Sequence, residues 1–184
     1  MAKHINDIPY FSQHDNDSDW NSGPWNECSF TCMAMVLAYW GIVGNGSGQL
    51  EDQIERDFES KKYTRGNPYH MRDWMNMKYG NIGVNATYSG EATLTEIKGA
   101  IVSKASCILH TDLTKSGHII SIVGFDDEAY DGVGALIVND PWGEWFHTGY
   151  DSWKTGKNLY YSYPLMQRVA GPDSNYWLHT VTRE

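Results

Sequence analysis

Asn26-Glu27-Cys28-Ser29-Phe30-Thr31-Cys32-Met33-Ala34-Met35-Val36-Leu37-Ala38-Tyr39-Trp40-Gly41 is the stretch on which the fold turns. Phe30, Met33, Ala34, Leu37 and Ala38 recur at the spacing that lines one helix face, and Gly41 ends the run. Asn26 is the capping candidate, which puts Cys28 in the first turn. There the unpaired backbone N–H groups and the helix dipole favour a thiolate. A cysteine so placed can also be a small buried hydrophobe, as can Cys32 on the same face. Its surroundings in the chain must decide between the two.

Outward from this helix the pattern stays helical at first. Leu50, Ile54 and Phe58 recur every fourth residue, and Met71, Trp74 and Met75 mark a third helix that stops before Gly80. Thr93 and Glu96 form a capping-box pattern ahead of Ile97 and Ile101, so a fourth helix is expected to run to about Lys104. Strand-like runs follow: Cys107-Ile108-Leu109, His118 to Phe125, Ala135 to Asn139, Leu159 to Tyr163 and Tyr176 to Val181. Helices first and strands afterwards imply an α+β fold, an antiparallel sheet with helices packed on one side and a cleft between the halves.

The 184 residues fit a single domain, 1–184, able to bury a core without disulfides. The three cysteines are odd in number, which suits reduced thiols. A net charge of −9, with 14 Lys plus Arg thinly spread, argues against nucleic acid and against charge-driven attraction to anionic surfaces. No apolar run is long enough to cross a bilayer, and no signal-peptide pattern opens the chain, so a cytoplasmic monomer without membrane insertion is expected.

Three further residues carry possible chemistry. His118 follows Gly117 and opens an apolar strand, where its imidazole would face the helical half and could meet a thiol. Asp140, in Asn139-Asp140-Pro141, ends the next strand and could orient that imidazole, although Asp before Pro is also a common turn. Gln13 offers a side-chain amide that could share an oxyanion with a backbone N–H near Cys28.

Taken together, the chain resembles the bacteriocin-processing, C39-like branch of papain-like cysteine peptidases. Four pieces carry the match in order: Ile8-Pro9-Tyr10-Phe11-Ser12-Gln13; Asn26-Glu27-Cys28 running into Ala34 to Gly41; Gly117-His118-Ile119-Ile120; and Asn139-Asp140-Pro141-Trp142-Gly143. The resemblance implies a papain-like fold with Cys28 as nucleophile, His118 as base, Asp140 as orienting acid and Gln13 in the oxyanion hole. No cofactor is required. The implied substrate is a peptide cut after small residues such as Gly-Gly. The leader-processing members are fused to transporters, so for this stand-alone domain a cell-wall (peptidoglycan) peptide, cut by a lysin-like endopeptidase, is ranked first. Leader or other peptide processing, and a silent binding domain that has lost turnover, are the alternatives.

The family often has Gly or Asn where this chain has Ser29, which becomes a groove candidate together with Trp142 and Trp145. Aromatic faces there could hold sugar or peptide, or could simply pack in the core. The acidic insert after Gln13 places Asp15, Asp17 and Asp19 at alternate positions, as in half a calcium loop, but the bidentate Glu of an EF-hand is lacking. It reads as a solvated loop with calcium as the alternative. Zinc on Cys28, His110, His118 and Asp140 lacks any supporting spacing.

Overall fold

The helix expected around Cys28 is α1 (Cys28–Tyr39) of a computed structural model that describes residues 2–17 and 23–184. It ends as a Schellman motif: Gly41, at φ +78°, donates to Ala38, and Ile42 donates to Leu37. The sequence suggests an amphipathic stripe, but every side chain from Ser29 to Leu37 is buried. A helix apolar on all sides must be enclosed. Here β4 (His118–Asp126) and β3 (Ser106–Thr111) lie under it and α2 (Leu50–Ser60) lies beside it.

The remaining elements are β1 (Lys3–Ile5), α3 (Pro68–Tyr79), β2 (Val84–Ala92), α4 (Leu94–Val102), the one-turn α5 (Ala129–Gly132), β5 (Ala135–Asn139), β6 (Glu144–Phe146), β7 (Gly149–Asp151), β8 (Leu159–Ser162), α6 (Tyr163–Ala170) and β9 (Tyr176–Arg183). The main sheet is antiparallel throughout, in the order β2-β9-β3-β4-β5-β8, with β1 on the far end of β4 beyond the β3 pairing. β6 and β7 form a separate ribbon.

Strand alternation sorts the core into two clusters. Ile108, Ile119, Val123, Ile137 and Val181 pack against α1, α2 and α3. Leu109, Ile120, Ile122, Leu136 and Val138 pack against Ile97 and Ile101 of α4 and Met166 and Val169 of α6. The expected one-sided layering is therefore corrected: helices cover both faces. The strands from β3 to β5 are apolar on both faces, and both need cover. The papain-like α+β class stands, with the Cys28 helix on the antiparallel sheet.

Candidate functional site

Cys28 is the first residue of α1, but Asn26 does not cap it. Asn26 belongs to a 3₁₀ turn (Gly23–Asn26), and the cap position falls on Glu27, whose side chain makes no capping bond. The first-turn N–H groups are thus left without a side-chain cap at the cleft. His118 is the first residue of β4, at the end of a central strand, and Asp140 directly follows β5 on the neighbouring strand. Gln13 sits in a one-turn 3₁₀ segment (Gln13–Asp15) whose cap, Ser12, accepts from the His14 N–H.

The structure brings these four together. His118 Nε2 donates to Asp140 Oδ1 at 2.7 Å, and the Cys28 thiol lies close enough to the same imidazole to raise its pKa. Because Nε2 is committed to Asp140, Nδ1 is the ring nitrogen left for the thiol. Burial alone would lower the His118 pKa. The Asp140 carboxylate and the Cys28 contact outweigh it and push the group up from 6.5 to about 10.

Asp140 is fully buried and saturated with donors. Oδ1 also accepts from the Trp142 N–H at 3.0 Å, and Oδ2 accepts from the Tyr150 and Tyr161 hydroxyls at 2.9 and 3.0 Å. Burial first, then the carboxylate, drives both tyrosine pKa values far upward, so they remain donors. Neither tyrosine is singled out for this role by sequence: Tyr161 lies on β8, which pairs with β5, and Tyr150 on the separate β6–β7 ribbon. The Asp140 N–H donates to Gly156 O at 2.9 Å, and a Cβ on Gly156 would lie 1.8 Å from the Asp140 carbonyl oxygen. Only glycine permits that approach.

The three thiols are unpaired but unequal. Cys32 is buried and donates to Ile119 O at 3.3 Å. Burial holds its pKa well above the usual thiol range and pushes Cys107 up to about 12. Cys28 alone is partly exposed.

Cys28, His118 and Gln13 line an open cleft of about 1040 Å³. Trp142 also lines it, in tilted ring contact with His14 and Trp25 at centroid distances of 4.1 and 4.8 Å. Trp25 is 73% exposed, and Trp177, on the same cleft, is 50% exposed. Ser29 reaches the cleft lining but is buried. Trp145 is placed elsewhere: it packs on the α4/α6 side, and its N–H donates to Tyr161. Sequence reasoning missed Trp25, which lies outside the aromatic group that follows Asp140.

Asp15 and Asp17 are exposed, and Asp19 lies outside the described residues. Among the described residues no three His, Cys, Asp or Glu side chains are arranged to hold a metal. In the zinc set considered from sequence, His110 is instead engaged with His179, with Nε2 atoms 3.1 Å apart. Among the described residues no helix is long and apolar enough to cross a membrane.

The family model described as Peptidase_C39 like family matches residues 5–170. No curated protein matches the chain significantly. Of solved structures, a Bacillus anthracis protein assigned as a C39-like peptidase superposes with a TM-score of 0.65 at 12% identity, covering 100% of both chains. At that identity the likeness concerns the fold. UfSP from C.elegans aligns at a TM-score of 0.48 and 11% identity, over 99% of this chain and 34% of that one.

Proposed function

The chain belongs to the Peptidase_C39 like family and is a cysteine peptidase, and from that premise we propose that Cys28 is its nucleophile, His118 its base, Asp140 the orienting acid and Gln13 an oxyanion donor. The observation that carries this reading is the His118–Asp140 bond at 2.7 Å, with Cys28 and His118 lining the same open cleft.

In the resting enzyme His118 Nδ1 takes the Cys28 proton, and its raised pKa keeps the imidazolium at neutral pH. Sulfur attacks the scissile carbonyl, and the oxyanion is held by the Gln13 amide and the Cys28 N–H. His118 then returns its proton to the leaving amine. Water, activated by the same ring, adds to the thioester and releases the acid. Asp140 orients the imidazole throughout and is itself held in place by the donors that converge on it.

For substrate we favour bacterial cell-wall peptides, with leader-type Gly-Gly peptides as the alternative. The exposed faces of Trp25 and Trp177 support this choice: they offer flat apolar surface to small-residue peptide backbone and to adjoining sugar rings. The test is mass spectrometry of peptidoglycan fragments and Gly-Gly peptides after incubation with the wild type and with Cys28→Ala. New termini from the wild type alone support the assignment. Identical product profiles from both proteins sink it and leave a peptide-binding domain.

A further inference from the structure

Beside the nucleophile helix lies a group of buried acceptors that the chemistry above does not use. Asn16, Glu27, Glu51, Asp52 and Glu55 are all 6% exposed or less. Glu27 immediately precedes Cys28, and Glu51, Asp52 and Glu55 lie on α2. Asn16 Nδ2 joins Glu27 Oε2 at 2.7 Å and Thr31 Oγ1 at 3.0 Å, while the Asp17 N–H donates to Asp52 Oδ1 at 2.9 Å. Arg65 is shared between Oε1 of Glu55 and Oε1 of Glu59.

Three of these side chains have one polar atom engaged and another bare. Asn16 Oδ1, Glu27 Oε1 and Glu55 Oε2 are buried and accept no hydrogen bond. Buried acceptors are ordinarily paired, because a bare one forfeits its hydration. These three share one neighbourhood: Asn16 bonds Glu27, and Arg65 bridges Glu55 to the carbonyl of Asn26, the residue before Glu27. Their common requirement is positive charge offered to oxygen, and hard divalent cations supply it.

We propose that Asn16 Oδ1, Glu27 Oε1 and Glu55 Oε2 are ligands of one calcium-type cation, with Glu51 and Asp52 alongside. No three acidic side chains enclose one point among the described residues, and binding therefore requires these side chains to turn toward the ion. The ligand set is not the alternating Asp15, Asp17 and Asp19 suggested by sequence. Asp15 and Asp17 are exposed, and Asn16 between them is turned inward. If Cys28 is the nucleophile, as proposed above, the ion also offsets negative charge directly behind the thiolate.

The test uses the full chain, stripped with EDTA, and reads thermal stability and terbium luminescence excited through tryptophan, with no substrate present. Calcium should raise Tm in the wild type and in Cys28→Ala alike, which separates this site from the peptidase assignment. Glu27→Gln and Glu55→Gln should each weaken terbium binding tenfold or more, and Glu27→Gln should melt no lower than the wild type without metal, because it removes a buried charge. A wild-type Tm unmoved by calcium up to about 10 mM, well above the dissociation constants of weak calcium modules, overturns the proposal. So does an equal calcium shift in both Gln variants, which would mark surface binding. A wild type that is unmoved while the Gln variants melt higher also overturns it, and would identify the bare oxygens as protonated carboxyls.

Discussion

The backbone N–H of Gln13 donates to the carbonyl of Pro141 at 3.0 Å. This bond ties the proposed oxyanion donor to the residue directly after Asp140, so the two ends of the site share one loop contact. His14 Nε2, donating to Trp142 O at 2.9 Å, reinforces it. Gln13→Ala should therefore lower kcat by about 10²- to 10³-fold, while Cys28 alkylates at close to the wild-type rate. Peptide cleavage and iodoacetamide labelling, measured side by side, distinguish lost oxyanion support from a collapsed site. Equal losses in both assays would argue for collapse.

Iodoacetamide should modify Cys28 rapidly below pH 7, and His118→Ala should slow that reaction by at least about tenfold. Cys32 and Cys107 should stay unlabelled in the folded protein, because both are buried with raised pKa values. Site-resolved mass spectrometry reads all three thiols together. Labelling of Cys28 at an ordinary thiol rate, unaffected by the histidine change, would exclude an activated pair.

Asp140→Asn removes the charge that outweighs burial at His118, so the histidine pKa should drop from about 10. The imidazolium would then be lost at lower pH, and the alkaline limb of kcat/KM should move down, with activity reduced by roughly two to four orders of magnitude. Tyr150→Phe removes one of two donors to Oδ2 and leaves the Asp140 charge in place, so it should cost about 1–3 kcal/mol in stability without moving the alkaline limb down. An unchanged alkaline limb in Asp140→Asn would remove Asp140 from the mechanism.

His110 and His179 predict a dependence of stability on pH. Burial lowers their pKa values from 6.5 to about 4 and about 3, so between those values and 6.5 the unfolded chain binds protons that the native state refuses. Their contribution is complete above pH 6.5 and is lost as pH falls, by up to ~1.4 kcal/mol per pH unit for each group. Glu51 and Glu55, raised by burial to about 7, act in the opposite sense between 4.5 and 7. The discriminating quantity is thus the slope of Tm against pH from 4 to 6. It should be shallower in His179→Asn than in the wild type, and parallel profiles would refute the assignment.

Trp25→Ala should raise KM for peptidoglycan fragments several-fold with little change in kcat, since the indole borders the cleft without touching the reacting groups. A fall in kcat alone would instead mean that the ring contact with Trp142 holds the Asp140 loop in place.

Much of the site is legible because its parts sit where chain grammar is strong. The α1 period, the Gly41 stop and the strand that opens at His118 can be read without tertiary information. Asn26 has the chemistry of a cap, but a 3₁₀ turn, set by packing, takes it out of that position. β2 escapes the pattern: its small and polar residues make poor strand formers in isolation, and pairing with β9 supplies what propensity lacks. The start of α6 reads as strand, because Leu159, Tyr160, Tyr161 and Tyr163 belong to one β-rich run. Pro164 in the first turn and the Ser162 cap instead bend the chain into a helix. The roles of Tyr150 and Tyr161 cannot be read at all, since they depend on where β7 and β8 lie in space.

Enclosure of α1 on all sides has a practical reach. Thr31 to Leu37 anchor the helix through its own core contacts, and the Cys28 side chain contributes little to that anchorage because it stands at the helix end and partly in solvent. Removing the sulfur should leave the cleft intact in shape. Immobilised Cys28→Ala protein is thus a ready affinity matrix, able to retain its natural peptide from a crude digest long enough for that peptide to be sequenced.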